Sequence, residues 1–182
     1  MNVAMMTRTA LMAAVTAVAA QIAIPLPFSP VPFTLQVLAV ILSGLLLGPR
    51  YGVLAQAIYV LVGAAGVPVF AQFHGGLGVV LGPTGGYLLS YPLAAAIAGF
   101  AAHAAANATR RRALGASIFW GCAGLAIIYA LGATWLAAIT RLPFAAALAQ
   151  GVLPFVVFDL VKVALAALVA IAAAPAIASS RA

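Results

Sequence analysis

Apolar residues along the chain fall into six runs separated by proline, glycine and polar punctuation. The first covers Ala4 to Ile24. It stops at Pro25-Leu26-Pro27 and Pro30-Val31-Pro32, where missing N–H donors and fixed φ angles disfavour a helix. The second, Phe33 to Leu47, ends at Gly48-Pro49-Arg50. The third begins near Tyr51 and fades at Gly66-Val67-Pro68, and a glycine-rich connection then leads to Gly86. The fourth, fifth and sixth cover Tyr87 to Ala106, Ala113 to Ile139 and Ala145 to Ala174. A helix needs about 20 apolar residues to cross a bilayer, so the pattern predicts six spans joined by short loops. The second and third runs are short for full spans.

Composition turns this pattern into a membrane assignment. Of 182 residues, 67% are hydrophobic and 5% charged, against roughly 25% charged in a soluble domain. The apolar character runs from end to end, so a signal peptide or single anchor does not account for it. Arg8, Arg50, Arg110, Arg111, Arg112 and Arg181 fall on one side of the six spans and only Arg141 on the other. The positive-inside rule then puts both termini in the cytoplasm of a multi-pass cell-membrane protein, with a bacterial inner membrane the expected location. The basic residues are too few and too scattered to track a nucleic-acid backbone. Cys122 stands alone, which excludes an internal disulfide and a cysteine metal cage.

The remaining chemistry is sparse. Lys162 is flanked by Val161 and Val163, so no phosphate-binding Gly-x-x-x-x-Gly-Lys-Ser/Thr loop exists, and Leu81 breaks the dinucleotide pattern begun by Gly76 and Gly78. Paired-carboxylate catalysis is unavailable because Asp159 has no acidic companion. His74 in an outer loop and His103 near an inner helix end cannot share a metal across about 30 Å of hydrocarbon. The sequon Asn107-Ala108-Thr109 is expected to be cytoplasmic and inert. No cofactor, no metal and no enzymatic activity are expected.

Asp159 and Lys162 stand three apart in the sixth run, on one face of a helix. If that helix starts near Ala145, Asp159 lies roughly 20 Å along it, near mid-membrane. Ionisable groups at such depth face a bundle interior or a cavity and mark ligand or ion sites, although a self-satisfied packing pair is the alternative. Two charge-free outer segments accompany the pair. One is the stiff Pro25–Phe33 stretch, followed by Thr34 and Gln36. The other is the glycine-rich stretch Gly75 to Gly86, whose glycines permit a re-entrant lid, ahead of Tyr87 and Tyr91. Gln56 and Tyr59 share a helix face. Helix 1 carries Ala10-x-x-x-Ala14 and Ala13-x-x-x-Ala17, spacings that let helices approach closely within lipid.

These residues closely resemble the BioY family, the biotin-binding S component of energy-coupling factor (ECF) vitamin transporters. The matching stretches are Ile24-Pro25-Leu26-Pro27, Val31-Pro32-Phe33-Thr34-Leu35-Gln36, Leu47-Gly48-Pro49-Arg50 and Gly66-Val67-Pro68-Val69-Phe70. Leu81-Gly82-Pro83-Thr84-Gly85-Gly86-Tyr87-Leu88, Pro154-Phe155 and Asp159-Leu160-Val161-Lys162 continue them in family order over nearly the whole chain. The resemblance implies an all-α, six-helix S-component fold over residues 1–182, a single substrate-binding domain. It implies capture of extracellular biotin and delivery inward, energised by a T component and ABC-type ATPases on other chains, and it leaves room for a homo-oligomer. The expected ligand residues are Asp159, Lys162, Tyr87, Thr84, Gly85, Gly86, Gln36, Gln56, Phe33 and Tyr91. Ala10 and Ala14 are the expected contact with the T component. A stand-alone proton-coupled permease, with Asp159 and Lys162 relaying protons, is the rival reading, and a pure helix-packing subunit is a third.

Overall fold

The computed structural model describes residues 3–102 and 109–179. His103, Asn107 and Ala108 of the sequon, the end of the fourth run and Arg181 lie outside the described residues. The order of elements is α1 (Val3–Gln21), β1 (Ala23–Leu26), β2 (Ser29–Thr34), α2 (Gln36–Ala64), a 3-10 turn (Ala71–Phe73), α3 (Leu77–Val80), α4 (Gly85–Gly99), α5 (Arg110–Thr140), α6 (Phe144–Gly151) and α7 (Val156–Ser179).

Taken singly, four of the described helices are long and apolar enough to cross a bilayer: α1, α2, α5 and α7. The second of these is two spans. Gly48 has φ 79° and ψ 176°, a conformation that only glycine adopts without strain, and Pro49 follows it. Contacts step outward symmetrically from this break. A Cβ built on Gly52 would touch Gly44, Gln56 donates to Ser43, and Gln36 donates to Tyr59. The two arms therefore run antiparallel, as the second and third apolar runs predict. With α1, α4, α5 and α7 they complete six crossing segments.

Helix α4 packs against both arms. Gly44 and Gly52 lie against the Ala95 carbonyl, and Gly99 lies against Gly48 and Pro49 at the turn. Lipid supplies no hydrophobic drive between helices, so small residues that let backbones touch and maximise dispersion contacts hold this centre together. The other face of α4 meets α5, where Gly86 abuts Trp135 and Gly132 abuts the Tyr87 ring. Helix α7 completes the bundle, with Val163 against Gly121 of α5. Outside this core, large apolar side chains such as Leu11, Val18, Leu61, Phe119 and Val161 are exposed around the bundle, as a lipid-facing rim requires.

Two expectations are corrected. The Pro25–Phe33 stretch, expected as a stiff outer loop, forms strands. It belongs to an antiparallel hairpin that pairs Ala23 with Thr34, Ile24 with Phe33 and Leu26 with Ser29, with an irregularity between Ile24 and Leu26. Both strands are edges, where proline is tolerated. The sixth run is not one helix from Ala145. Val152 leaves the helical region (φ −130°) and Pro154 lacks the N–H that a continuous helix would use. Asp159 therefore occupies the first turn of α7, about 5 Å from its start rather than roughly 20 Å along a continuous helix.

Candidate ligand-binding site

Beneath the β1–β2 hairpin and the 70–84 connection lies a cavity of about 230 Å³, the liquid volume of roughly seven or eight water molecules. Asp159 and Lys162 reach it from α7, Thr34 from β2, Gln36 from the first arm of α2, Thr84, Tyr87 and Tyr91 from the loop before α4 and from α4 itself. Phe70, Leu88, Ile128 and Phe155 supply apolar wall, and Gln72 and His74 stand at the outer loop.

The pair at its base is buried, Asp159 being 3% and Lys162 5% exposed, and Lys162 Nζ donates to Asp159 Oδ1 at 2.7 Å. Neighbours share the load. Lys162 Nζ also donates to the Thr34 carbonyl at 2.7 Å and sits 3.9 Å over the Phe33 ring. Tyr129 donates its hydroxyl to Asp159 Oδ2 at 2.7 Å. Both carboxylate oxygens are thus oriented by charge-assisted or phenolic donors, and each retains a lone pair. Position favours the negative charge as well, since Asp159 lies in the first turn of α7, at the positive end of its dipole.

Six of the ten ligand residues expected from the sequence line this cavity: Asp159, Lys162, Tyr87, Thr84, Gln36 and Tyr91; Phe33 is joined to it only through its contact with Lys162. Phe33 itself is not part of the lining; it stacks on Phe155 and meets Phe158 edge-on. Gln56 is not at the cavity either. Its amide donates to Thr16 of α1 and to Ser43, both 3.0 Å away, in a buried polar seam between α1 and the α2 hairpin. Gly85 and Gly86 are also absent from the lining. Side-chain space at both is taken by Val80, Trp135 and Leu131, so they seat α4 against its neighbours. Tyr87 lines the cavity with its ring, but its hydroxyl donates to the Gly151 carbonyl at 2.8 Å, which pins the α6–α7 break. Gln36 is engaged too, donating to Tyr59 at 2.6 Å and accepting from Thr34 at 3.0 Å.

Sequence reasoning missed Tyr129, Gln72, His74 and Phe155 as cavity residues. Tyr129 left one usable signal: a tyrosine within an apolar span needs a partner for its hydroxyl, and Asp159 is the one acid in the chain. On α1 the two alanine pairs separate cleanly. Ala10 and Ala14 are exposed, whereas Ala13 is buried in the bundle.

A helical bundle with an apolar rim, two broken segments and a polar cavity roofed by outer loops defines a multi-pass membrane receptor for a small solute. The chain belongs to the BioY family, whose profile matches residues 1–179. It is similar to the probable biotin transporter BioY of Pyrococcus horikoshii, 45% identical over 161 residues, which cover 88% of this chain and 90% of that relative. It is also similar to the biotin transporter BioY of Thermotoga maritima, 47% identical over 148 residues, 81% of this chain and 83% of that one. Among solved structures it matches the S-component for biotin from an ECF-type ABC transporter, with a TM-score of 0.82, 26% identity, and coverage of 93% of this chain and 89% of that one.

Proposed function

We propose that the chain is a membrane-embedded biotin-binding S component that takes biotin from outside and delivers it inward, residues 1–182 forming one substrate-binding domain. The observation that carries this reading is the buried Asp159–Lys162 pair lining the cavity, within a fold shared with the biotin S-component. Biotin presents two ureido N–H donors, a carbonyl acceptor, an apolar thioether ring and a carboxylate tail. Asp159 has free lone pairs to accept ureido N–H groups. Lys162 donates to a ligand oxygen on leaving either the Thr34 carbonyl or the Phe33 face. Thr84 and the spare valences of Gln36 add neutral hydrogen bonds, and Tyr91, Tyr87 and Phe155 wall the ring system. Phe33, Gln56, Gly85 and Gly86 act at one remove, by holding Lys162, α1 and α4 in place. Energy comes from a T component, which meets the exposed Ala10 and Ala14 of α1, and from ABC-type ATPases on other chains. Lipid covers the rest of the rim.

Biotin titration of the purified protein in detergent tests this. Asp159→Asn and Lys162→Ala each remove a hydrogen bond to a charged group, about 1.5–3 kcal/mol, and should weaken binding roughly ten- to a hundredfold. Unchanged affinity in both variants would take the pair out of the site. Uptake by the chain alone in liposomes that needs an imposed proton gradient, and collapses when that gradient is dissipated, would instead favour a proton-coupled permease.

A further inference from the structure

The outer loop at the cavity mouth is held in a conformation that its own residues disfavour. Gln72 (φ 59°) and Phe73 (φ 58°) are adjacent non-glycine residues in the left-handed region, and the only other such residue among those described is Arg141. Each costs of order 1 kcal/mol, so the surroundings must impose the shape. Part of the constraint is internal. Phe70 N–H donates to the His74 carbonyl at 2.9 Å, and the Phe70 ring is buried against Gly63 and Tyr59. His74 N–H also donates to the Ala71 carbonyl at 3.3 Å, so these bonds close on both sides of the strained pair but are not made by the backbone of Gln72 or Phe73.

The second constraint comes from Gln21, the last residue of α1 and 48–52 positions away in sequence. Its Nε2 donates to the Ala17 carbonyl of its own helix at 3.1 Å and lies 3.2 Å from the carbonyls of both Val69 and Phe70, which share its other N–H, and its Oε1 accepts from Phe73 N–H at 2.9 Å. One carboxamide thus grips both limbs of the turn. The turn itself supplies Phe70, Ala71, Gln72 and His74 to the cavity lining. Phe73 is 71% exposed and makes no wall, so it is there to be held rather than to hold. The Val69 carbonyl also receives the Tyr59 hydroxyl, which in turn receives Gln36. Gln36 is bonded to Thr34, and the Thr34 carbonyl to Lys162. The clamp is therefore continuous with the charged pair.

We infer that Gln21 is the positioning residue of the cavity mouth. It ties the Val69–His74 turn to α1 and so sets how fast ligand leaves. This rests on the proposed binding function. Because α1 also carries Ala10 and Ala14, the same carboxamide joins the face offered to a partner to the rim of the site, and a displacement of α1 would pull on the turn.

The test is made on the full chain in detergent, with Gln21→Ala. Hydrogen exchange of the 69–76 backbone, read without ligand, should quicken by about tenfold, the loss of one or two hydrogen bonds, while exchange elsewhere in the bundle stays as it was. Biotin dissociation should quicken by a similar factor, and association should not slow. Adding Phe73→Asn to Gln21→Ala should restore slow exchange and slow dissociation, because asparagine enters the left-handed region more readily than phenylalanine and Phe73 does not line the cavity. A general loss of packing would not be rescued in this way. Should the alanine variant fail to fold, Gln21→Glu keeps the acceptor for Phe73 N–H but loses both donations, and the same direction is expected. Unchanged exchange in the 69–76 segment overturns the clamp. Faster exchange with unchanged biotin dissociation overturns its role at the mouth. Failure of the unsubstituted protein to bind biotin overturns the functional reading instead, and is seen before any substitution is made.

Discussion

At Asp159 the argument is one of hydrogen-bond satisfaction. A buried carboxylate with one cationic partner still has an oxygen to spare, and Tyr129 fills it at 2.7 Å while also facing the cavity. Tyr129→Phe removes that donor with little change in volume. The carboxylate then turns or draws on water and, on the proposed function, loses its preorganisation toward a ureido group. Biotin affinity should fall roughly tenfold, about 1.5 kcal/mol, with the loss in the dissociation rate; calorimetry and stopped-flow binding would check both. An affinity equal to that of the unsubstituted protein would mean that Lys162 alone orients Asp159. The pair was legible in the sequence because a charged residue in an apolar run announces itself at once. Tyr129 was harder to see because tyrosine is ordinary in apolar segments, and only its partner distinguishes it. Gln56 misled for the opposite reason. A glutamine within a span needs partners for its N–H groups, but sequence does not say which, and here Thr16 and Ser43 take them while the carboxamide oxygen is buried without one.

Among the elements, the central hairpin of α2 depends on glycine in two different ways. Gly48 is needed for its backbone angles, and a Cβ there would meet nothing within 4 Å. Gly44 is needed for space, since a Cβ there would collide with the Ala95 carbonyl of α4. Replacements should separate the two. Gly48→Ala and Gly48→Val should each lower stability by about 1–3 kcal/mol and by similar amounts, because the penalty is conformational. Gly44→Ala should already destabilise, and Gly44→Val should do so much more, because each added carbon drives α2 further from α4. Thermal unfolding in detergent would show whether the Gly44 series steepens with side-chain size while the Gly48 series stays flat. The spans themselves could be read from hydropathy, and the turn between the second and third from Gly48-Pro49-Arg50. The break between α6 and α7 could not be read the same way. Gly151-Val152-Leu153-Pro154-Phe155 is as apolar as the helices around it, so hydropathy reads the run as continuous; the break shows in the backbone of Val152, beside the Gly151 carbonyl that the Tyr87 hydroxyl holds. The strands of the outer hairpin were hidden by their prolines, which argue against a central strand but not against two edges.

For the molecule as a whole, the proposed functions of binding and energisation fall on different faces. The cavity lies under the outer hairpin and the Val69–His74 turn, while Ala10 and Ala14 are exposed on α1, seven or more residues before Gln21 and hence upward of 10 Å away along the helix. Ala13, one position from Ala14, faces into the bundle and is 7% exposed. The two alanine stripes of α1 therefore serve opposite sides, a distinction that spacing alone did not make. Close helix approach through small residues is lost when either is enlarged, whichever helix lies opposite. Ala10→Leu and Ala14→Leu should leave biotin affinity of the isolated chain within about twofold, since neither side chain touches the cavity or the core. The same variants should abolish co-purification with a T component and ATPases and should lower biotin uptake in cells. Ala13→Leu should do the reverse, destabilising the isolated chain by overpacking α1 against the α2 hairpin. Loss of biotin binding on enlarging Ala10 would place that stripe inside the folded unit. Retained assembly and uptake would show that the energising partner docks on another face.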